Sequence, residues 1–205
     1  MRERKKRHTR EALVHAALRL FTTQGYERTT VDEITDAVDV SQRTFFRYFA
    51  NKEAVAFGVQ ETIDARFLTE LRQRPASETP FEALRQAAQN AWSTLTEADD
   101  DGITAELQMR AYRMIESTPA LHAAHMRRHI GLEHQTAVLI AEREGLDPEA
   151  DPRPRVAVAA FSGVMRMTGQ LWGRRKDAGP AALRELTELH LDQLGPALSG
   201  SWRAA

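Results

Sequence analysis

Apolar residues recur every three to four positions along most of the chain, which is the spacing of helices that bury one face. No run alternates apolar and polar residues over the length of a strand. The pattern therefore predicts an all-α protein of about nine helices. We expect a three-helix N-terminal domain at residues 1–51 and a larger helical domain at residues 52–205. An acidic loop is predicted at residues 97–102.

Capping residues mark the first helix boundaries. Thr9 is predicted to cap the first helix and Gly25 to end it. Thr30 is followed three residues later by Glu33, which predicts a capping box at the start of the second helix. Ser41 is a good cap for a third helix that follows after a very short turn, and Asn51 is predicted to cap the next helix. Two helices joined in this way cross steeply, and this helix-turn-helix geometry lets the second helix enter the major groove of DNA.

Polar side chains at the start of the third helix suit the reading of base edges. Gln pairs with adenine and Arg with guanine, whereas Thr contacts a phosphate, a base edge or a thymine methyl group. This group consists of Ser41, Gln42, Arg43 and Thr44. Arg47, Tyr48 and Lys52 follow at spacings that place them along the flanking DNA backbone. The alternative is an unrelated pair of capped helices whose cations are only solvated.

The charge of the chain is distributed unevenly. The formal net charge is −1, but the first 52 residues carry 11 Lys and Arg against 7 Asp and Glu, and the remainder carries 17 against 22. A basic arm at the N-terminus can lie along phosphates or in the minor groove and release counterions. It contains Arg4, Lys5, Lys6 and Arg7. The uneven charge favours double-stranded DNA as a partner.

Residues 9–55 resemble the N-terminal domain of the TetR family of one-component transcriptional regulators, of the TetR/AcrR type. The matching segments are Leu20-Phe21, Gly25-Tyr26, Thr29-Thr30-Val31-Asp32-Glu33-Ile34, Val40-Ser41-Gln42-Arg43-Thr44-Phe45-Phe46-Arg47-Tyr48-Phe49 and Asn51-Lys52-Glu53-Ala54. The chain departs from the family at Asp39, where glycine is common, and at Phe46, where many relatives have a phosphate-binding tyrosine. If Asp39 needs a positive φ, its side chain costs about 1 kcal/mol.

The resemblance implies a sequence-specific DNA-binding regulator, a repressor that a small-molecule ligand releases or modulates. The residues implied in DNA binding are Thr29, Thr30, Ser41, Gln42, Arg43, Thr44, Phe46, Arg47, Tyr48 and Lys52. It also implies a homodimer formed through the last two helices, at about residues 155–176 and 180–198, that reads a palindromic operator. An intrachain core is the alternative role of these two helices.

The larger domain is expected to hold the ligand among its middle helices. Met and aromatic side chains make an adaptable apolar lining, although we expect about half of the candidates to be plain core. The candidates are Phe67, Trp92, Met109, Tyr112, Met114, Met126, His129, Phe161, Met165 and Trp172. Residues 44–49 also resemble the actinobacterial branch of the family that is associated with acyl-CoA-like ligands.

One group of side chains suggests a different function. His122, His125, His129 and Glu133 share one face of a long predicted helix, and imidazole with carboxylate can bind zinc. A metal-sensing regulator and a metal-dependent hydrolase are therefore alternatives, as is a non-specific architectural DNA-binding protein. Ligands on successive turns of one straight helix lie too far apart to converge on one ion, so a second segment would be needed. The simpler alternative is a His129–Glu133 pair, with the other histidines at a pocket rim or in water.

Several classes of function lack their sequence signals. The chain has no cysteine, which leaves no disulfide, thiolate metal site or cysteine nucleophile. No serine lies in a nucleophile-elbow pattern and no glycine-rich phosphate loop is present, so we expect neither an enzyme nor a bound cofactor. The longest uncharged apolar stretch, residues 156–165, is too short to span a bilayer, and we expect a cytoplasmic protein.

Overall fold

A computed structural model describes residues 2–96, 103–175 and 179–200, and it is helical without strands in this part of the chain. The all-α prediction is therefore confirmed. The predicted acidic loop at residues 97–102 lies outside the described residues, as does residue 176 at the end of a predicted helix. The helices are α1 (Arg2–Gln24), α2 (Val31–Asp36), α3 (Gln42–Tyr48), α4 (Lys52–Ala56), α5 (Gly58–Gln73), α6 (Pro80–Thr96), α7 (Ala105–Ser117), α8 (Pro119–Glu144), α9 (Arg153–Arg174), α10 (Pro180–Asp192) and α11 (Leu194–Ser199).

The described residues contain eleven helices, because two of the predicted nine are each divided. The first division falls at Phe57, whose backbone leaves the helical region before Gly58 begins α5. A Cβ atom at Gly58 would overlap with the side chain of Val14, so glycine allows α5 to start directly against α1. The second division falls at Gln193, because Pro196 has no N–H to donate to the carbonyl of Asp192.

The start of α1 differs from the prediction. The helix begins at Arg2, and the hydroxyl of Thr9 donates to the carbonyl of Lys5 at 2.9 Å instead of capping a helix end. The continuous run of cationic residues extends the helix, because their long side chains lose little freedom in it. The end of α1 is as predicted: Gly25 has φ +98° and donates its N–H to the carbonyl of Phe21 at 3.1 Å.

The three helices that follow begin at side-chain caps, as the sequence predicts. Thr30 Oγ1 accepts from the N–H of Glu33 at 3.2 Å, and the Glu33 carboxylate accepts from the N–H of Thr30 at 2.8 Å. The hydrogen bonds that the Glu33 carboxylate accepts from Thr30 and from the side chain of Gln24 lower the pKa of Glu33. The caps of α3 and α4 are Ser41 and Asn51. Such caps matter here because α2, α3 and α4 are too short to be stable as isolated helices.

The chain forms two compact units, each made of two segments. The first unit contains Met1–Ala65 and Ser93–Met126, and the second contains Arg66–Trp92 and Arg127–Ala205. In the first unit α1 contacts α2, α4 and α7, and Arg110 of α7 donates to the carbonyl of Thr22 at 2.8 Å. The core of this unit includes Leu13, Ala17, Leu18, Phe21, Ile34, Phe45, Phe49, Val55, Phe57, Leu107 and Leu121.

The second unit is built around the contact between α9 and α10. Arg85 of α6 binds two carboxylates of α10, Glu188 and Asp192, and the bond to Asp192 measures 2.7 Å. The buried apolar residues of this unit include Ala83, Leu84, Ala87, Ile140, Ala141, Val158, Phe161, Trp172, Leu186 and Leu191. The predicted boundary between a DNA-binding and a ligand-binding domain at residue 51 refers to function and not to these compact units, and it stays a prediction.

Asp39, in the turn between α2 and α3, has φ +54° and is the one non-glycine residue with positive φ in the described ranges. Its N–H donates to the carbonyl of Asp36 at 3.2 Å, and the N–H of Val40 donates to that of Thr35 at 3.1 Å. These two bonds form a Schellman motif, in which glycine usually takes the left-handed position. The positive φ considered for Asp39 is therefore present.

Replacing Asp39 by glycine is expected to raise the free energy of unfolding by about 0.5–1 kcal/mol, because glycine adopts positive φ without strain. Ala37, two residues earlier, is the matched control, since its φ of −63° is ordinary helical backbone. Ala37→Gly should lower the free energy of unfolding by about 1 kcal/mol. Urea denaturation of both variants measures the two changes. A loss of stability in Asp39→Gly would contradict the assignment of backbone strain to this residue.

Candidate nucleic-acid interface

The orientation of α3 is set by aromatic residues on its inner face. Phe45 is fully buried and Phe49 is 3% exposed, and their ring centroids lie 5.6 Å apart in the core of the first unit. Ile34 of α2 is buried in the same cluster. With these rings buried, the opposite face of α3 is directed to solvent. The helix-turn-helix thus presents one polar edge to a partner.

Most of the side chains predicted to read DNA are on this edge. Gln42, Arg43 and Arg47 are exposed, while Thr44 and Tyr48 are half-buried. The hydroxyls of Ser41 and Thr44 lie 3.1 Å apart, and Ser41 Oγ also caps the helix by accepting from the N–H of Thr44 at 3.2 Å. Among the four polar residues at the start of α3, Gln42 and Arg43 are therefore the exposed ones whose side chains are not part of this cap.

Asp32 holds the side chain of Gln42 in one orientation. The Gln42 amide nitrogen donates to a carboxylate oxygen of Asp32 on α2. A carboxylate only accepts hydrogen bonds, so the amide nitrogen, and not its oxygen, must face Asp32. The second N–H and the amide oxygen remain for a base, and together they match the N7 and N6 groups of adenine. The sequence pattern contains no signal for this contact of Asp32, because Gln42 lies ten positions away, across the turn.

Phe46 and Arg47 add an apolar and a cationic group to the same surface. Phe46 is 53% exposed and its ring meets Phe45 edge to face, with centroids 5.3 Å apart. An exposed phenyl ring cannot hydrogen-bond a phosphate, but it can contact a thymine methyl group. The guanidinium of Arg47 lies 5.1 Å from the centre of the Tyr48 ring, which limits its freedom before any partner binds.

Two predicted contact residues have other roles in this structure. The side chain of Thr29 is buried, with 1% exposure, and its hydroxyl donates to the carbonyl of Gly25 at 2.9 Å. Thr30 is the exposed threonine of the pair. The Lys52 ammonium donates to backbone carbonyls, including that of Tyr26 at 2.8 Å. The sequence pattern contained no signal for these contacts, because each joins residues that are distant in the chain or buried by packing.

The basic arm is part of α1, although the first helix was expected to begin only at the Thr9 cap. Arg4, Lys5, Lys6 and Arg7 are exposed and belong to α1. An α-helix with its side chains is about 10–12 Å wide, whereas the minor groove of B-DNA is about 6 Å wide. In this conformation the arm therefore fits the phosphate backbone and not the minor groove.

The candidate ligand residues fall in both units. Within the second unit, Phe67 stacks on Phe161 with centroids 6.3 Å apart, and Phe81 meets Phe161 edge to face. Trp172 is buried and its indole N–H donates to the carbonyl of Gly179 at 3.1 Å. Phe67 and Phe161 are also buried, which fits the expectation that part of the set is core. The pocket assignment stays a prediction.

Within the first unit, the rings of Tyr112, His125 and Phe57 pack against one another. The ring of Tyr112 meets His125 edge to face at 6.1 Å, and His125 stacks on Phe57 at the same centroid distance. Burial, with a smaller effect of Glu116, raises the pKa of Tyr112 above its ordinary value. Met109 is buried, and Met114 and Met126 are half-buried.

The four residues considered as metal ligands have other neighbours. The carboxylate of Glu116 on α7 lies 3.5 Å from His122 Nδ1 and 3.7 Å from His125 Nε2. Glu133 lies 3.9 Å from the guanidinium of Arg166, and burial together with Arg166 lowers the pKa of His129. Among the residues that the structure describes, no group of three or more His, Cys, Asp or Glu side chains could hold a metal ion. The roles of Glu116 and Arg166 were not evident from the sequence because both belong to neighbouring helices.

Family models match both parts of the chain. Residues 13–59 match the model described as bacterial regulatory proteins of the tetR family, and residues 78–199 match the MftR C-terminal domain. The chain belongs to the TetR family and is a helix-turn-helix transcriptional regulator. Regulators of this family bind operator DNA as dimers, and ligand-modulated repression is typical of them.

Curated relatives support the same family over nearly the whole length. The chain is 42% identical to the HTH-type transcriptional regulator TcmR of Streptomyces glaucescens over 203 residues, which is 99% of this chain and 90% of that protein. It is 29% identical to the putative mycofactocin biosynthesis transcriptional regulator MftR of Mycobacterium tuberculosis over 171 residues, or 83% of each. Both of these relatives are named as transcriptional regulators.

Solved structures share the fold at low sequence identity. The chain matches the structure of a SmeT–triclosan complex with a TM-score of 0.62 and 20% identity, covering 92% of this chain and 90% of that one. It matches NalD, the secondary repressor of the MexAB-OprM multidrug efflux pump in Pseudomonas aeruginosa, with a TM-score of 0.56 and 18% identity, covering 94% and 97%. No helix in the described part of the chain is long and apolar enough to cross a membrane.

Replacing Asp32 by alanine is expected to change affinity and selectivity in opposite directions. Removing a negative charge beside DNA should raise affinity for random DNA, while the freed Gln42 amide should lose part of its preference for adenine, roughly 1 kcal/mol. Asp36→Ala is the control, because Asp36 is an exposed acid on the same helix. Competition binding against operator variants measures both effects. Equal adenine preference in both variants would contradict the orienting role of Asp32.

Proposed function

We propose that this regulator is a repressor that binds a palindromic operator as a homodimer and is released or modulated by a small-molecule effector. The observation that carries the proposal is the placement of α3, which buries Phe45 and Phe49 and leaves Gln42 and Arg43 exposed. In this proposal residues 1–51 bind DNA, and residues 52–205 bind the effector and form the dimer.

The side chains of α3 divide into base-reading and backbone-contacting groups. Gln42 reads adenine and Arg43 reads guanine, because each can form a bidentate pair with that base. Thr30, Arg47 and Tyr48 contact phosphates, together with the basic arm of α1. Ser41 and Thr44 are linked to each other at the helix cap, so their hydroxyls support the position of the reading residues and meet the nearest phosphate or base edge.

Arg43→Ala should weaken operator binding by roughly 1–3 kcal/mol and relax the preference at one base position of each half-site. Lys5→Ala is the control, because Lys5 lies on the basic arm and should weaken all sequences alike and lower the salt dependence. The operator comes from selection of bound sites from a random DNA pool, and titrations on operator and random DNA compare the variants. Equal losses on both DNAs for Arg43→Ala would refute its base-reading role.

The dimer is proposed to form through α9 and α10. These helices bury one apolar face within the second unit, where Val158, Phe161 and Leu191 are each at most 4% exposed. They also expose a second apolar set, which a single chain leaves in water. It consists of Val156 at 65%, Met167 at 43%, Leu171 at 40% and Leu189 at 56% exposure. In this proposal the interface role and its alternative, an intrachain core, belong to different faces of the same two helices.

Leu189→Glu is expected to raise the dimer dissociation constant by at least about 30-fold, because it places a charge in the centre of the proposed interface. Ile130→Glu is the matched control, since Ile130 is 64% exposed on α8, outside this face. Sedimentation velocity over a concentration series measures the dissociation constants, and operator binding should weaken with the dimer. Equal dissociation constants for both variants would place the interface elsewhere.

The effector is proposed to be a compound with a large apolar part. The candidate lining consists mainly of Met and aromatic side chains, which accommodate apolar groups of varied shape. The structure of SmeT that shares this fold is a complex with triclosan. Residues 44–49 resemble a branch of the family that is associated with acyl-CoA-like ligands. To act as a switch, the effector must bind more tightly, by about 1–3 kcal/mol, to one arrangement of the two DNA-binding domains in the dimer than to the other. Release of operator by triclosan or by acyl-CoA distinguishes these two classes.

A further inference from the structure

Lys52 makes a set of contacts that its predicted role as a phosphate-binding cation does not account for. Its Nζ donates to the carbonyl oxygens of Tyr26 at 2.8 Å and Thr29 at 3.0 Å, with a longer contact of 3.4 Å to that of Glu27. The same Nζ lies 4.3 Å from the centre of the Tyr26 ring. The side chain is half-buried. These acceptors lie 23 to 26 positions before Lys52 in the chain.

The three acceptors account for the hydrogen-bonding capacity of the ammonium group. A lysine ammonium has three N–H donors and no acceptor, and three carbonyl oxygens surround it here. To bind a phosphate through a hydrogen bond, Lys52 would have to give up at least one of these bonds to the turn. In this conformation all three N–H groups of the Lys52 ammonium therefore donate to the protein backbone.

The segment that Lys52 holds is the turn between α1 and α2. Gly25, with φ +98°, starts this turn, and the Thr29 N–H donates to the carbonyl of Tyr26 at 3.3 Å within it. The carbonyls of Tyr26, Glu27 and Thr29 converge on the Lys52 ammonium, which joins three points of the turn through one side chain. Thr30, which caps α2, is the next residue.

We propose that Lys52 is a positioning residue of the helix-turn-helix domain and not a phosphate contact. It holds the carbonyl of Thr29 and so fixes the backbone on which Thr30 presents its hydroxyl and caps α2. It also joins the start of α4 to this turn, within the first unit. The effect on DNA rests on the proposed function, whereas the effect on the turn does not.

Charge-conserving and charge-removing substitutions separate the two roles. Arginine keeps the charge and binds phosphate well, but its planar fork does not match three carbonyls that converge on one point. We expect Lys52→Arg and Lys52→Met to weaken operator binding to a similar extent, about tenfold, with the slope of log K against log salt unchanged. Lys5→Met is the control that should lower this slope, because it removes an exposed cation of the basic arm.

A double-mutant cycle with Thr30→Ala tests whether Lys52 acts through Thr30. Residues that act through each other give non-additive losses, whereas independent residues add. We expect the double variant Lys52→Met/Thr30→Ala to bind operator little worse than Thr30→Ala alone, measured at a temperature where all variants are folded. A general loss of stability would not produce this coupling in affinity. Amide exchange of residues 26–31 should also accelerate in Lys52→Met, even without DNA.

Two results would overturn the proposal. Retained affinity in Lys52→Arg with a salt slope lowered by about 0.9 per subunit in Lys52→Met would identify a direct phosphate contact. Additive losses in the cycle would exclude action through Thr30. A wild-type protein without selectivity for any DNA would instead remove the proposed function, and the amide-exchange result would then still test the hold of Lys52 on the turn.

Discussion

The burial of Phe45 and Phe49 beneath α3 is the contact on which the DNA-reading surface depends. A helix of seven residues has too few internal hydrogen bonds to persist alone, so its position comes from tertiary packing. The two rings join a core formed with α1, α2, α4 and α7 in the first unit. Because that packing fixes the rotation of α3 about its axis, it also decides that Gln42 and Arg43 are directed outward.

Around this core, polar contacts arrange the outer surface before a partner arrives. Asp32 holds Gln42, Ser41 is linked to Thr44, and Lys52 holds the turn before Thr30. Each contact restricts a flexible group, which reduces the entropy lost on binding. The same contacts limit what the surface can bind, since a donor used within the protein is not available to DNA. Selectivity at such an interface depends on these supporting residues as well as on those that touch bases.

Asp39 shows how a local departure from a family pattern is tolerated. The turn between α2 and α3 needs a residue in the left-handed region, and Asp39 occupies it at φ +54°. Aspartate pays less for this conformation than most residues, because its short polar side chain can bond locally. The Schellman bonds of Asp39 and Val40 then close the turn as they would around glycine. The geometry of the helix-turn-helix is retained although the preferred residue is absent.

The sequence alone determined the helical class, the caps at Thr30, Ser41 and Asn51, the stop at Gly25 and the position of the helix-turn-helix. These features depend on residues within four positions of each other, so their signals are local in the chain. The structure alone showed the burial of Thr29, the orientation of Gln42 by Asp32, the approach of Gly58 to Val14 and the hold of Lys52 on a turn more than twenty positions earlier. The start of α1 at Arg2 was also missed, because the propensity of its basic residues outweighed the cap expected at Thr9. Contacts between distant segments form only when the helices pack together, and a linear pattern carries no information on which distant groups will meet.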